Sequence, residues 1–347
     1  MGLIGSNPRL TRLEVSFQYN EIYNHLRPAL ESLSQLKYVK LEELFLGRQE
    51  NLSPFLNNNP DLQDLRLNDP TGISGFSGCR PLKNLTRFEI DDVIWEENPG
   101  LQHFFHLCPN LIALNLVHRG GSAPFVRELC GILREHCPKL DWIRYRNSHS
   151  RVHGAVQAED IVAWTQASSR LVHFDTLALT FATSIYQALM CHSVWIDTLC
   201  LKFLRGAEEN VRNTSKILEH CTNLRSLKVI HASTVSDLKL EWFEEPWRTD
   251  KLESLCLQGF TVPLKRVKSI QDDSFDEMLT ERHRPRIVAG KKVFRDLSQG
   301  WTPVTYEHLT RMITESAWAF RDMVFERVQY APRLYRLTVE CFGLAKA

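Results

Sequence analysis

Apolar residues return along this chain in one spacing, L-x-x-L-x-L or a close substitute, eleven times. The copies are Leu10-Leu13-Val15, Leu41-Leu44-Leu46, Leu62-Leu65-Leu67, Leu85-Phe88-Ile90, Leu111-Leu114-Leu116 and Leu140-Ile143-Tyr145. They continue as Phe174-Leu177-Leu179, Ile196-Leu199-Leu201, Leu224-Leu227-Val229, Leu252-Leu255-Leu257 and Leu334-Leu337-Val339. Alternation sets the apolar residues of each copy on one side of a short strand and the residues between them on the other. A unit this small cannot bury its apolar side alone, so neighbouring units must stack.

Helical patterns fill the intervals. Ala123 to His136 and Arg212 to His220 carry apolar residues, such as Ile217 and Leu218, that can pack on the backs of the strands. Five lead-ins also repeat: Asn7-Pro8-Arg9-Leu10, Cys108-Pro109-Asn110-Leu111, Cys137-Pro138-Lys139-Leu140, Cys221-Thr222-Asn223-Leu224 and Ala331-Pro332-Arg333-Leu334. Proline there ends the preceding helix and extends the chain into the next strand. Strand spacing runs from 21 residues (Leu41 to Leu62) to 34 (Leu140 to Phe174), so short units are expected to carry a turn and long ones a helix. After Leu257 the register breaks, and Val262 to Gly300 is highly charged. The pattern predicts an α/β solenoid with residues 1–258 as the array and 259–303 as a charged insertion or loop. Residues 304–347 supply a long helix (Thr305 to Gln329) and the final strand of the same solenoid.

The helix-end Cys/Asn-Pro-x-Leu followed by x-x-L-x-L resembles the leucine-rich-repeat superfamily in its ribonuclease-inhibitor-like branch. It is similar to the irregular repeats of F-box/leucine-rich-repeat proteins, in particular the divergent fungal ones. The resemblance covers most of Leu10 to Leu257 and resumes at Leu334. It implies a horseshoe with a parallel concave sheet, helices on the convex side, and substrate capture by the repeats. An N-terminal F-box in that family docks onto the adaptor of a cullin ubiquitin ligase. This chain departs there, because Leu10 already belongs to a repeat and no F-box is legible before it. A cullin-ligase adaptor is therefore expected as a partner only if an F-box lies upstream.

The strand pattern also nominates the residues of the expected concave face. Its first four repeats bring Glu14, Glu43, Asp64, Glu89 and Asp91 against Arg12, Arg66 and Arg87. From Trp142 to Gln258 the same row, read from the repeat pattern, brings Arg144, Arg146, Lys202 and Lys228 and no acid. A tryptophan beside two arginines has the composition of an interface anchor, and arginine forks suit carboxylates and phosphates. Trp142, Arg144, Arg146, Lys202 and Lys228 are thus the candidate partner-binding residues, for an acidic or phosphorylated protein segment. A solvated strand face with chance charge sorting is the plain alternative.

Composition narrows the classes. With 42 basic and 41 acidic residues the chain has no charge excess to steer it to nucleic acid or a membrane surface. Nine cysteines scattered through repeat positions, with no apolar run of spanning length and no secretory signal, point to a reducing intracellular compartment, cytoplasmic or nuclear. Three Asn-x-Ser/Thr tripeptides, at Asn51, Asn84 and Asn213, would be idle there. Met1-Gly2 to Ser6 fits the N-myristoylation pattern, though a start codon before a repeat explains it as well. His106, Cys108, His136-Cys137 and His220-Cys221 have the chemistry of zinc ligands, but they recur at one helix-end position in separate repeats and read as corner packing. The basic run Arg282 to Arg286 with Lys291-Lys292 is diluted by neighbouring acids and reads as a solvated loop. Gly72 to Gly78 lacks the nucleophile-elbow spacing, and no phosphate loop, dinucleotide fingerprint or H-E-x-x-H occurs.

The expectation is a monomeric, non-catalytic protein-binding module without cofactor or metal. Its first reading is the substrate-recognition part of an F-box-type receptor. Its second is a stand-alone repeat scaffold or inhibitor unconnected to ubiquitination.

Overall fold

A computed structural model describes residues 7, 9–16, 27–42, 52–68, 76, 78–93, 100–118, 123–147, 156–205, 207–235, 248–249, 251–260 and 336–341. Two compact units divide the chain, Met1–Thr176 and Leu177–Ala347.

In the first unit the strands are β1 (Arg12–Ser16), β2 (Tyr38–Glu42), β3 (Asp64–Asn68), β4 (Arg87–Val93), β5 (Ala113–His118), β6 (Trp142–Asn147) and the first four residues of β7 (His173–Ala178). Each pairs in parallel with the next in sequence. Helical segments α1 (27–31), α2 (Ser53–Asn57), α3 (Gly100–His106), α4 (Ala123–His136) and α5 (Ala158–Gln166) lie between them. The second unit holds α6 (Thr183–Met190), β8 (Thr198–Phe203), α7 (Glu208–His220), β9 (Ser226–Val235), β10 (Ser254–Phe260) and β11 (Arg336–Cys341). Its strands are likewise parallel and in sequence order. Both units are therefore repeated α/β with parallel sheets, as parallel crossovers through helices require.

One backbone joint recurs at the start of β2 to β7, β9 and β10. The carbonyl of Thr11 accepts both Lys37 N–H and Tyr38 N–H, and Lys37 carbonyl does the same for Gln63 and Asp64. Gln63, Thr86, Ile112 and Asp141 repeat the arrangement toward the following strands. In the second unit Asp197 and Arg225 do so too. Just before this joint the repeat leucine donates to the residue three back, as Leu111 does to Cys108, Leu140 to Cys137 and Leu224 to Cys221. The lead-in at these positions is thus a hydrogen-bonded corner, and at Cys108, Cys137 and Cys221 its buried side chain is a cysteine, a small apolar residue that fits the space.

Side chains follow from that fixed register. Leu65, Leu67, Phe88, Ile90, Leu114, Leu116, Ile143 and Tyr145 are all buried on one sheet face. The helices cover that face: Phe88 meets Phe104 and Phe105 of α3 at 4.8 and 5.8 Å between ring centres, and Tyr145 meets Trp164 of α5 at 4.7 Å. Tyr145 also places its hydroxyl 2.8 Å from Nε2 of buried His118. In the second unit Phe181 stacks on Phe203 at 5.1 Å, and Ile217 and Leu218 of α7 are fully buried.

Helix α4 has the predicted bounds, whereas α7 begins a turn earlier than Arg212, at Glu208. Two strand frames differ from the prediction. The second strand is not built on Leu41-Leu44-Leu46 but on Leu36-Val39-Leu41, with Tyr38, Lys40 and Glu42 on the other face in place of Glu43, Phe45 and Gly47. Leu44 and Leu46 lie outside the described residues. The seventh is Leu171-Phe174-Thr176, because Phe174 aligns with Ile143 and Thr176 with Tyr145. Strand β10 continues to Phe260, past the expected array end at 258. The charged insertion and the helix expected at Thr305 to Gln329 lie outside the described residues, while β11 pairs Leu337 and Val339 with Leu255 and Leu257.

Asparagines tie successive repeats together. Buried Asn59 accepts Leu36 N–H and donates to the carbonyls of Leu33 and Phe55, each at 2.9 Å. Asn57, two residues away, makes a similar pair to Gly78 and Arg80 at the surface. Burial separates their worth, since an unsatisfied group costs most where water cannot replace the partner. Asn59→Ala should destabilise the fold by about 3 kcal/mol and Asn57→Ala by under about 1. Equal shifts of the two urea midpoints would contradict this account.

His231 of β9 aligns with Phe203 on the core side and is 1% exposed. Burial pushes its imidazole down to about 4. Below the ordinary histidine value of about 6.5 the unfolded chain takes up a proton that the folded chain refuses, so stability falls with pH. Above that value neither state is protonated and the effect vanishes. Between pH 6.5 and 5 the loss amounts to about 2 kcal/mol. His231→Phe should flatten this part of the stability-against-pH curve, and an unchanged slope would sink the assignment.

Candidate binding face

The face opposite the core carries every second strand residue, ordered by the parallel register into rungs that cross the sheet. In the first unit one rung is Arg12, Tyr38, Asp64, Arg87, Ala113, Trp142 and His173. The next is Glu14, Lys40, Arg66, Glu89, Asn115, Arg144 and Asp175.

Over β1 to β4 the charges neutralise one another within the face. Arg12 pairs with Glu14, Lys40 with Glu42 at 2.6 Å, and Arg66 with Asp64 at 3.0 Å. Arg87 lies 3.9 Å from both Asp64 and Glu89. The hydrogen bond from Arg12 holds the Glu14 carboxyl below its usual range. Tyr38 sits between two guanidinium groups, Arg12 at 4.0 Å and Arg66 at 5.1 Å from its ring centre. With Lys40 and Glu42 supplied by the corrected second strand, this region is a mixed-charge lattice.

The candidate residues of β6 lie together, and the corrected β7 frame changes their meaning. The core spacing Phe174-Leu177-Leu179 would put Thr176 and Ala178, which lie between its residues, beside them; the register brings His173 and Asp175 instead. Arg146 grips Asp175 through Nη2 at 2.9 and 2.6 Å to its two oxygens, and Arg144 Nε lies 3.4 Å from Asp175 Oδ2. The expectation of a basic face with no acid is therefore wrong at this point. The side chains of Arg144, Arg146 and Asp175 are 34%, 22% and 11% exposed, so water screens them only partly. Two guanidinium groups against one carboxylate leave a surplus positive charge. Trp142 stacks flat on His173, with ring centres 4.6 Å apart and 13° between planes, and Arg87 lies over its ring at 5.6 Å. Asn115, between Glu89 and Arg144 in its rung, is 4% exposed and its amide oxygen has no hydrogen-bond partner. The β5–β6–β7 corner is thus the least internally satisfied part of the described face in this unit.

Lys202 and Lys228 belong to the second unit. Lys228 of β9 is exposed and aligns with Cys200 of β8 on one side and Cys256 of β10 on the other. The described open-face positions of β8, β9 and β10 bring no carboxylate to this set.

The helix-end histidines and cysteines separate into two environments. His106 and His136 bring their rings to 4.0 Å at the ends of α3 and α4. Their cysteine neighbours turn into the core, where Cys108 Sγ donates to Phe104 carbonyl at 3.3 Å and Cys137 Sγ to Cys108 carbonyl at 3.4 Å. Burial pushes the Cys137 and Cys221 thiols up to about 12, which removes them as ready metal ligands or nucleophiles. Among the described residues no group of three or more His, Cys, Asp or Glu is placed to hold a metal, and no helix is long and apolar enough to cross a membrane.

Fold and face together define an α/β repeat protein with an open parallel sheet. No protein-family model matches the chain, and no curated protein matches it.

Removing Asp175 leaves Arg144 and Arg146 side by side without their counter-ion. Asp175→Ala should cost about 2 kcal/mol, less than a fully buried pair because the arginines reach solvent. Arg146→Ala should cost less than Asp175→Ala, since Arg144 can still serve Asp175. The reverse order of urea midpoints would contradict the pairing.

Proposed function

We propose that the protein is a non-catalytic protein-binding module, a leucine-rich-repeat solenoid whose open sheet face receives an acidic or phosphorylated segment of its partner. The single observation that supports this most is the Trp142, Arg144 and Arg146 corner with its surplus positive charge over Asp175. A rigid parallel sheet fixes these side chains on one face, and an aromatic held between a guanidinium and an imidazole offers a preformed contact at low entropy cost. Arg146 is committed to Asp175 by a two-oxygen contact, so Arg144 carries the recognition of the incoming anion.

In this reading the module serves as the substrate-recognition part of an F-box-type ubiquitin ligase receptor. The support is the resemblance of its lead-ins and strand cores to that family's repeats. The test is purification of the chain from its own cells with mass spectrometry of what accompanies it. A cullin-ligase adaptor is expected among the recovered proteins where an F-box lies upstream of the repeats. One stoichiometric partner without ligase subunits would instead establish a stand-alone scaffold. For whichever partner is recovered, Arg144→Glu should weaken binding at least tenfold, about 1.4 kcal/mol, and Trp142→Ala by a similar factor. Unchanged affinity in both variants would remove this corner from the interface.

A further inference from the structure

Asn115 of β5 stands on the open face between Glu89 and Arg144, yet it is 4% exposed and its Oδ1 makes no hydrogen bond. A buried amide oxygen without a donor lowers stability, so an apolar residue of similar size would suit the fold better. Two buried nitrogens on the adjoining strands also lack a hydrogen bond: Arg87 Nε of β4, and Arg144 Nε of β6, which lies 3.4 Å from Asp175 Oδ2. One rung back, β5 carries the small Ala113 between Arg87 and Trp142, and Arg87 reaches across it to within 5.6 Å of the Trp142 ring centre. The Arg87 side chain is 42% exposed, and its ion pairs to Asp64 and Glu89 are 3.9 Å long. It therefore turns aside more readily than Arg146, which grips Asp175 at 2.6 Å. Charge at this place is nearly balanced. Arg66 and Arg87 match Asp64 and Glu89, while Arg144 and Arg146 share Asp175 and leave a surplus of one positive charge.

We propose that this corner takes an unmodified aspartate in an extended stretch of a partner protein, an inference that rests on the reading of the open face as a site for an acidic or phosphorylated segment. Arg144 holds the aspartate carboxylate, and Asn115 Oδ1 accepts the main-chain N–H of the same residue. Entry turns the Arg87 side chain away from Trp142 and opens the way to Asn115. Asn115 and Arg144 are one strand spacing apart, about 4.8 Å. Aspartate carries its carboxylate one carbon from Cα, so one residue spans the two groups. Glutamate and phosphoserine set the anion farther from their own N–H. Charge selects in the same direction. A carboxylate cancels the surplus of one, whereas a phosphate brings close to two negative charges. The excess would face Asp175, whose side chain is 11% exposed and poorly screened by water. The incoming N–H also meets the hydrogen bond that Asn115 lacks within the chain.

The test is titration of the full chain with acetyl-Gly-Asp-Gly-amide, followed by NMR at the Asn115 side-chain amide and the Arg144 Nε–H. The variants Asn115→Leu and Arg144→Lys assign the two signals. Both should shift together along one binding curve. The same peptide methylated on the aspartate nitrogen should bind about fivefold more weakly, the worth of one hydrogen bond. A peptide with phosphoserine in place of aspartate should also bind more weakly. Asn115→Leu should bind the plain and methylated peptides alike. It should also raise the urea midpoint, which replacing a merely structural asparagine would lower. An Arg144 shift with no loss on methylation, or tighter binding of the phosphoserine peptide, would overturn this assignment and leave the anion-binding face standing. A lower urea midpoint in Asn115→Leu would overturn it too, because the amide would then be serving the fold. No response of Arg144 to either acidic peptide would overturn both readings.

Discussion

Everything else in the fold depends on the joint at which one carbonyl per repeat accepts two successive N–H groups of the next strand, seen from Thr11 to Asp141 and again at Asp197 and Arg225. It locks the register of each strand to its predecessor. Because the side-chain period of a strand is two, a locked register also fixes which residues enter the core and which cross the open face. The corner cysteines, the stacked phenylalanines and the charge rungs are consequences of that lock. Even the hydroxyl of Thr176 is carried into the core by it and left without a hydrogen-bond partner.

This explains what was legible in the sequence. Where lead-in and strand core coincide, as at Leu111 and Leu140, spacing alone sets the correct residues inward. It misleads at two strands for opposite reasons. Leu36-Val39-Leu41 and Leu41-Leu44-Leu46 have the same spacing and share a residue, so local pattern cannot choose between them. The even distance of 26 residues from Leu10 to Leu36 and from Leu36 to Leu62 favours the first. At the seventh strand a threonine occupies an apolar position, and the pattern slides to Leu177 and Leu179. Ser168 there plays the part of the corner cysteine, its hydroxyl donating to Leu140 carbonyl at 2.5 Å. A lead-in read as Ser168-Ser169-Arg170-Leu171 would have shown the frame.

That slip matters for function, because it hides Asp175. An apparently uncompensated pair of arginines is in fact a pair sharing one carboxylate, and the charge contrast along the face is milder than the strand pattern suggests. Arg146 becomes part of the frame of the site while Arg144 and Trp142 remain its business end. Contacts of this kind, made between side chains some thirty residues apart, follow from register and are not visible in any local spacing. The Glu89–Asn115–Arg144 rung is another example, since no two of these residues are close in sequence.

The most direct test of the register that builds the β6–β7 corner is the stability of Thr176→Val beside that of Leu177→Ser. If Thr176 faces the core with an unsatisfied hydroxyl, valine should raise the urea midpoint by the equivalent of about 1 kcal/mol, and Leu177→Ser should change it little. A loss of stability in Thr176→Val together with a loss of about 2 kcal/mol or more in Leu177→Ser would mean that Leu177 is the core residue. Asp175 would then no longer lie on the face with Arg144 and Arg146.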